Sequence, residues 1–357
     1  MTEGLEPRQA VRDMAPYSPP TGGRAGKLRL DFNENTVGCS PKVIEALRQF
    51  LTTDSLTIYP EYAAAVSGLA AFFGVDTSEF TMTNGTDEAI QVLVNTFVED
   101  GDDVVTLHPS YAMYRFYSEL AGASVREIEY RGVDLSFPLD KFLDALRPET
   151  RAVLIANPNN PTGTGIDRDS IRLILETVPD AAVLIDEAYF EFNGVTVLPW
   201  IRDYPNLFVT RTFSKVYGMA AMRCGCIFSR RENVQWMKKA QSPYSVNMLA
   251  TVAARVAVED RETVSRYVGE VLAAREMAYV GLERLGVPYY PSQANFILFR
   301  VGDRAIPIRD ALRERGVLIR DRSYEIEGCV RVTIGTRDQV ERFLSELAVE
   351  LRKPWKP

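Results

Sequence analysis

The sequence predicts an α/β fold: a mainly parallel central sheet flanked by helices, with a smaller α+β domain attached. Three observations carry this. Short apolar runs recur through the middle of the chain: VVTL (104–107), AVLIA (152–156), AVLI (182–185), LFVTRT (207–212) and CGCIF (224–228). Most are β-branched and apolar on successive positions, as strands covered on both faces must be. Segments of helical period (86–98, 111–121, 139–146 and 168–177) alternate with them, the pattern of helices crossing over between parallel strands. Beyond about 250 the alternation stops. A long helical stretch (250–285) leads out of the sheet to two further strand candidates, ANFILF (294–299) and VRVTI (330–334).

The elements before the sheet follow from local signals. Residues 15–27 (APYSPPTGGRAGK) are rich in Pro and Gly and read as an extended arm. LRLDFNEN reads as a short strand entering a turn. In SPKVIEALRQFL, Ser40 is placed to cap a helix whose first turn accepts Pro41. A second helical pattern over 61–73 ends at Gly74, a residue suited to a C-terminal cap. The expected division is an arm and part of the small domain over 1–45, a large domain over 46–260, and a small C-terminal domain over 261–357.

Composition narrows the function. With 357 residues, 46% hydrophobic and 25% charged, the chain can bury a sizeable core without disulfides or structural metal. Lys plus Arg number 41 against 48 Asp plus Glu, a net charge of −7, so no nucleic-acid partner is expected. His108 is the single histidine. A His-rich metal centre is impossible, no metal is expected, and a Ser-His-Asp triad would have to use that one residue. Cys39, Cys224, Cys226 and Cys329 form no CxxC pair and read as reduced thiols. The first residues lack the apolar core of a signal peptide, and no run approaches the roughly 18 apolar residues of a membrane span. A cytoplasmic protein with no membrane partner is the expectation.

In open parallel sheets ligands gather beyond the carboxyl ends of the strands, so the residues following each strand are the candidates. They read NGTDEA (84–89), HPSY (108–111), NPNNPTG (157–163), DEAY (186–189), TFSK (212–215) and MR (222–223). In NGTDEA, Gly85 permits a tight turn, and Thr86 and Asp87 open a helix whose free N–H groups suit a phosphate. A plain helix cap is the alternative. Lys215 follows a strand, with hydroxyls at Thr212 and Ser214 beside it and Arg223 eight residues on. Desolvation lowers the pKa of such an amine and makes it a nucleophile toward an aldehyde. Hydroxyls and a guanidinium alongside suit a phosphate on that same aldehyde; the alternative is a solvated loop lysine. Asp186 closes AVLID, where its carboxylate could hold a pyridine nitrogen protonated or cap the next segment. Asn157 could donate to a phenolate oxygen or simply close the turn. Tyr111 could stack on a flat ring or pack in the core.

In this order the motifs resemble the fold-type I pyridoxal-phosphate aminotransferases of class I/II. The likeness spans nearly the whole chain: LDFNEN, YPEY, NGTDEAI, NPNNPTGT, DEAYFEF, TFSKVYGMAAMRCG, SPYSVN, LIRDRS and VRVTIGT. Within the family, the branch that uses histidinol phosphate is the most similar. The resemblance implies pyridoxal 5'-phosphate as cofactor, joined to Lys215, which would also carry the substrate's proton. Asp186 would face the pyridinium nitrogen, Asn157 and Tyr189 the ring's phenolate oxygen, and Tyr111 the ring face. Gly85, Thr86, Asp87, Thr212, Ser214 and Arg223 would hold the phosphate. Tyr59, in YPEY, would reach the cofactor phosphate of a second subunit, implying a homodimer. Arg331, Arg322 and Asn33 would meet the substrate, a small-molecule amino donor or keto acceptor. Where the family reads NENPYG this chain reads NENTVG, so Val37 replaces a tyrosine. An aromatic amino-acid aminotransferase and a decarboxylase of the same fold are the alternative enzyme readings. A cofactor-binding regulator would need a basic DNA-binding domain that an acidic chain does not offer.

Overall fold

The computed structural model describes residues 4–16 and 22–353; part of the expected arm, 17–21, lies outside the described residues. Among the described residues the strands are, in chain order, β1 (Leu28–Arg29), β2 (Phe80–Thr83), β3 (Asp103–His108), β4 (Ser124–Glu129), β5 (Thr150–Ala156), β6 (Ala182–Asp186) and β7 (Leu207–Thr212). After them come β8 (Gly225–Phe228), β9 (Tyr289–Tyr290), β10 (Phe296–Arg300), β11 (Val317–Leu318), β12 (Arg320–Asp321) and β13 (Cys329–Thr333). Seven of these form one sheet in the order β2-β8-β7-β6-β5-β3-β4. Only β8 runs against its neighbours, β2 and β7; the other pairings are parallel.

The consecutive apolar runs are buried on both faces, as their sequence demands. Every residue of β6, β7 and β8 is buried. Along β6, Val183 and Ile185 join one apolar cluster while Ala182 and Leu184 join another on the opposite face. Helix Gly85–Phe97 covers the second face through Ala89, Ile90 and Leu93, and helix Arg168–Thr177 covers the first through Ile171, Ile174 and Leu175. Each fully buried aliphatic side chain contributes about 1.5–3 kcal/mol.

Five strands lie outside the expected set: the two-residue β9, β11 and β12, and the two edges of the large sheet, β2 and β4. β2 (FTMT) alternates threonine with apolar residues, and β4 (SVREIE) is polar and only partly buried. β4 carries a weak apolar signal because it is partly exposed, whereas β2 is buried throughout and its two threonines interrupt the apolar run. The 250–285 stretch is not one helix: Met248–Glu259 and Arg261–Arg284 meet at Asp260. The Asp260 carboxylate accepts from the Ser40 hydroxyl at 2.5 Å and the Lys42 ammonium at 3.0 Å, a tertiary contact that helical periodicity cannot reveal. Ser40 also caps helix Pro41–Phe50 by accepting the Lys42 N–H.

A second, antiparallel sheet has the order β12-β13-β10-β9. β1 pairs in parallel with β11, tying residues 28–29 to the C-terminal part of the chain. Among the described residues no helix is long and apolar enough to cross a membrane. The carboxyl ends of β2, β3, β5, β6 and β7 emerge on one side of the large sheet, beside the small one. The cleft between them has a volume of about 450 Å³.

Candidate active site

One edge of the cleft is built for an anion. β2 runs straight into helix Gly85–Phe97, whose free N–H groups and positive dipole end face that edge. Gly85 has φ of +74°, and a Cβ there would lie 2.5 Å from Nη2 of Arg223; only glycine lets the guanidinium rest on this turn. Thr86, Asp87, Thr212, Ser214 and Arg223 all line the cleft. The N-cap position belongs to Asn84 rather than to Thr86 or Asp87, and the Asn84 N–H is taken by the Glu88 carboxylate at 2.5 Å. The Asp87 carboxylate accepts from Arg223 Nη2 at 3.0 Å and from the Tyr111 hydroxyl at 2.6 Å. An acid cannot itself hold a phosphate, and the Asp87 side chain is engaged by Arg223 and Tyr111.

The floor of the cleft carries the acid and the amine. Asp186, 3% exposed, accepts from Thr210 Oγ1 at 2.8 Å and the Ala188 N–H at 3.1 Å on Oδ1, and from Tyr114 at 2.8 Å on Oδ2. Burial pushes its pKa up from the ordinary value, and these donors oppose the push. Lys215 lines the same cleft and donates to the Phe32 carbonyl at 3.1 Å. Tyr189 accepts from Asn33 Nδ2 at 2.9 Å.

Residues 31–35 thread between the two sheets and touch most of the floor. Besides the Phe32 and Asn33 contacts, Asn35 donates to the Val216 carbonyl at 2.9 Å, and the Asp31 carbonyl accepts from Arg331 Nη2 at 2.8 Å. Arg24 clamps this segment by donating to both Asp31 and Glu34.

Asn157 departs from its expected place. It is buried, it does not line the cleft, and its amide is spent on both backbone groups of Ile166: Nδ2 donates to the carbonyl at 3.0 Å and Oδ1 accepts the N–H at 2.9 Å. The asparagine that lines the cleft after β5 is Asn160, whose Oδ1 accepts from Arg331 Nη1. NPNNPTG offers three asparagines, and the turn consumes the first.

The far end of the cleft, from the small sheet, gathers Arg320, Arg322 and Arg331. Arg331 on β13 is 5% exposed. Burial, then the charges of Arg322 and Arg320, lower its pKa to about 10, so it stays charged near neutrality. Arg322 donates to the Tyr324 hydroxyl at 2.9 Å and pairs with Glu325 at 2.6 Å. Nε of Arg331, Nε of Arg322 and Nη1 of Arg320 are buried with no hydrogen-bond partner among the described residues. Tyr59 does not line the cleft of its own chain; it is 73% exposed, with its ring 4.7 Å from that of Tyr244. Sequence reasoning missed Tyr114, Thr210, Asn160 and Glu325. No local signal marks Tyr114, whose partner Asp186 lies 72 residues further along the chain.

A doubly covered α/β sheet with a lysine, an acid and an anion edge at its strand tips defines a cofactor-dependent transferase. The chain belongs to the family described as aminotransferase class I and II, which it matches over residues 25–347, a pyridoxal-phosphate-dependent family. It is 37% identical to the histidinol-phosphate aminotransferase of Symbiobacterium thermophilum, over 96% of this chain and 98% of that one. Against the enzyme of that name from a Geobacillus species the identity is 33%, covering 98% and 99%. In fold it superposes on the histidinol-phosphate aminotransferase of Sinorhizobium meliloti in complex with pyridoxal 5'-phosphate, with TM-score 0.89 at 23% identity, covering 98% and 99%. The cleft fits that cofactor on its own residues: a buried carboxylate for the ring nitrogen, an amine for the aldehyde, and a cationic helix edge for the phosphate.

Proposed function

We propose that this aminotransferase moves the amino group between histidinol phosphate and 2-oxoglutarate, giving imidazole-acetol phosphate and glutamate, a step of histidine biosynthesis. One observation carries the choice of substrate. Among the described residues, three arginines at the small-sheet end of the cleft keep buried N–H groups without hydrogen-bond partners, and buried donors of this kind call for an anion that accepts two-pronged contacts. A phosphate monoester and a dicarboxylate both answer it. The names of the relatives support the same pair.

Bound pyridoxal phosphate supplies an electrophilic aldehyde and a ring that takes up electrons from the bond broken at the substrate carbon. Lys215 would give its amine to that aldehyde and, once released, move the substrate's proton. The Asp186 carboxylate would keep the ring nitrogen protonated. Asn160 and Tyr189 line the wall where a phenolate oxygen would sit, so the amide assigned by resemblance to Asn157 passes to Asn160. Tyr111 would lie on the ring face. The first-turn N–H groups of Thr86 and Asp87, with the Thr212 and Ser214 hydroxyls and Arg223, would hold the phosphate beside Gly85. Arg331 and Arg322 would grip the substrate, with Asn33 orienting Tyr189.

The working unit would be a cytoplasmic homodimer. Exposed Leu56, Ile58, Tyr59 and Tyr244 form an apolar rim suited to a second copy, whose cofactor phosphate Tyr59 would reach. Residues 46–260 are read as the large domain, with 1–45 and 261–357 supplying the arm and the small one. Steady-state turnover with histidinol phosphate, compared with phenylalanine, tests the substrate. A kcat/KM favouring histidinol phosphate is expected; no turnover with it, and good turnover with phenylalanine, would replace this reading with an aromatic aminotransferase.

A further inference from the structure

A carboxylate buried as fully as Asp186 tends to take up a proton and lose its charge. The charge of Asp87, on the neighbouring helix Gly85–Phe97, pushes the same way. Oδ1 has two donors to resist this, the Thr210 hydroxyl and the Ala188 N–H, whereas Oδ2 has the Tyr114 phenol at 2.8 Å. Tyr114 is 1% exposed. It is fixed on helix Ala112–Ala121, where its N–H donates to the Tyr111 carbonyl at 3.1 Å and its carbonyl accepts from Ser118 at 2.8 Å. The Tyr111 ring packs edge-on against it, with centroids 5.7 Å apart.

We propose that Tyr114 is a positioning residue for transamination: its phenol, donating to Oδ2, holds the Asp186 carboxylate charged and aimed at the ring nitrogen of the bound cofactor. This rests on the assignment of Asp186 to that nitrogen. Burial and the adjacent Asp186 charge raise the pKa of the phenol well above its ordinary value, so it keeps its proton and donates at every working pH. The titratable groups facing the pair are Asp87 from helix Gly85–Phe97, Tyr111 from Tyr114's own helix and Tyr189 beyond β6. None of the three donates to Oδ2, so none replaces the phenol. A phenylalanine would leave Oδ2 facing an apolar edge. Hydrogen bonds to a charged group are worth about 1.5–3 kcal/mol, which converts to a change in Asp186 proton affinity of roughly tenfold or more.

The test is Tyr114→Phe, which keeps the ring's shape. In cofactor-free protein carrying ¹³C-labelled aspartate, with the Asp186 signal assigned through Asp186→Asn, the carboxyl titration should move up by about one pH unit. In the holoenzyme kcat should fall about tenfold while KM for glutamate stays within about twofold, because the lost contact acts on the ring and not on substrate binding. A fluorinated tyrosine at 114, a stronger donor of nearly equal size, should move the titration down. A midpoint that stays put in both variants overturns the inference, and so does a moved midpoint with unchanged kcat. If Asp186→Asn keeps full turnover and the normal cofactor spectrum, the assignment of Asp186 falls and Tyr114 falls with it. If Asp186→Asn is crippled and Tyr114→Phe is not, only Tyr114 falls.

Discussion

Gly225→Ala adds one methyl group at the point where the sheet supports the anion edge. A Cβ at 225 would lie 2.9 Å from the carbonyl carbon of Gly85, 3.0 Å from the Thr86 nitrogen and 3.2 Å from the Arg211 carbonyl oxygen. All three are backbone atoms, so no side chain can swing aside. Ordinary carbon contacts begin near 3.5 Å, so something must move by roughly half an ångström. β8 is hydrogen-bonded to β2 on one side and β7 on the other, which leaves the first turn of helix Gly85–Phe97 to give way. Overpacking of this kind costs about 1–3 kcal/mol. The displaced turn carries the N–H groups and Thr86 that would hold the phosphate. Thermal unfolding of cofactor-free protein should fall by a few degrees, and pyridoxal phosphate, titrated by absorbance, should bind about tenfold or more weakly. A variant with wild-type unfolding and wild-type cofactor affinity would refute the argument that β8 sets the height of that turn.

Three further outcomes are expected. Lys215→Ala should fold normally by circular dichroism, yet lose turnover and the visible absorbance band that the lysine-linked cofactor gives; retention of both would remove Lys215 from its role. Arg331→Gln should raise KM for the amino donor by roughly 10–100-fold, the worth of a charged hydrogen bond, as read by steady-state kinetics, and an unchanged KM would place the substrate anion elsewhere. The third concerns His108, whose pKa is raised, chiefly by the Glu127 carboxylate 3.6 Å from its Nδ1, while the pairing lowers that of Glu127. A raised histidine contributes stability that is full below its unfolded value of about 6.5 and is lost as pH rises through the folded one. The lowered glutamate contributes above its unfolded value near 4.3 and loses that contribution in acid. Stability should therefore decline from about pH 6.5 upward, and His108→Gln should flatten that decline. Because the chain has one histidine, a single imidazole NMR signal titrating above 6.5 checks the cause.

The parts legible in the sequence are those governed by local periodicity. β5, β6 and β7 announce themselves because burial on both faces forces consecutive apolar residues, and the chemistry at their tips follows from strand direction alone. What stayed hidden depends on partners far along the chain. Nothing local in NPNNPTG says that Asn157 will be spent on Ile166 while Asn160 meets Arg331, 171 residues on. Asp260 breaks a helix-like stretch because it answers Ser40, 220 residues earlier. Tyr114 reads as one more aromatic on an apolar helix face, and only the fold brings Asp186 under its hydroxyl. Of the two edge strands of the large sheet, β4 is polar because it is partly exposed, whereas β2 is buried throughout and its apolar run is broken by Thr81 and Thr83.

The segment 31–35 ties the floor of the cleft to the last strand of the small sheet. The Asn33 N–H donates to the Thr333 hydroxyl, and Arg331 reaches the Asp31 carbonyl, each across 300 residues of chain. Contacts so distant in sequence close late, after the entropy of a very long loop has been overcome. During synthesis, therefore, the central sheet can assemble before the pocket is complete, and a nascent chain stopped short of β13 would lack both Arg331 and the Thr333 contact that ties down Asn33.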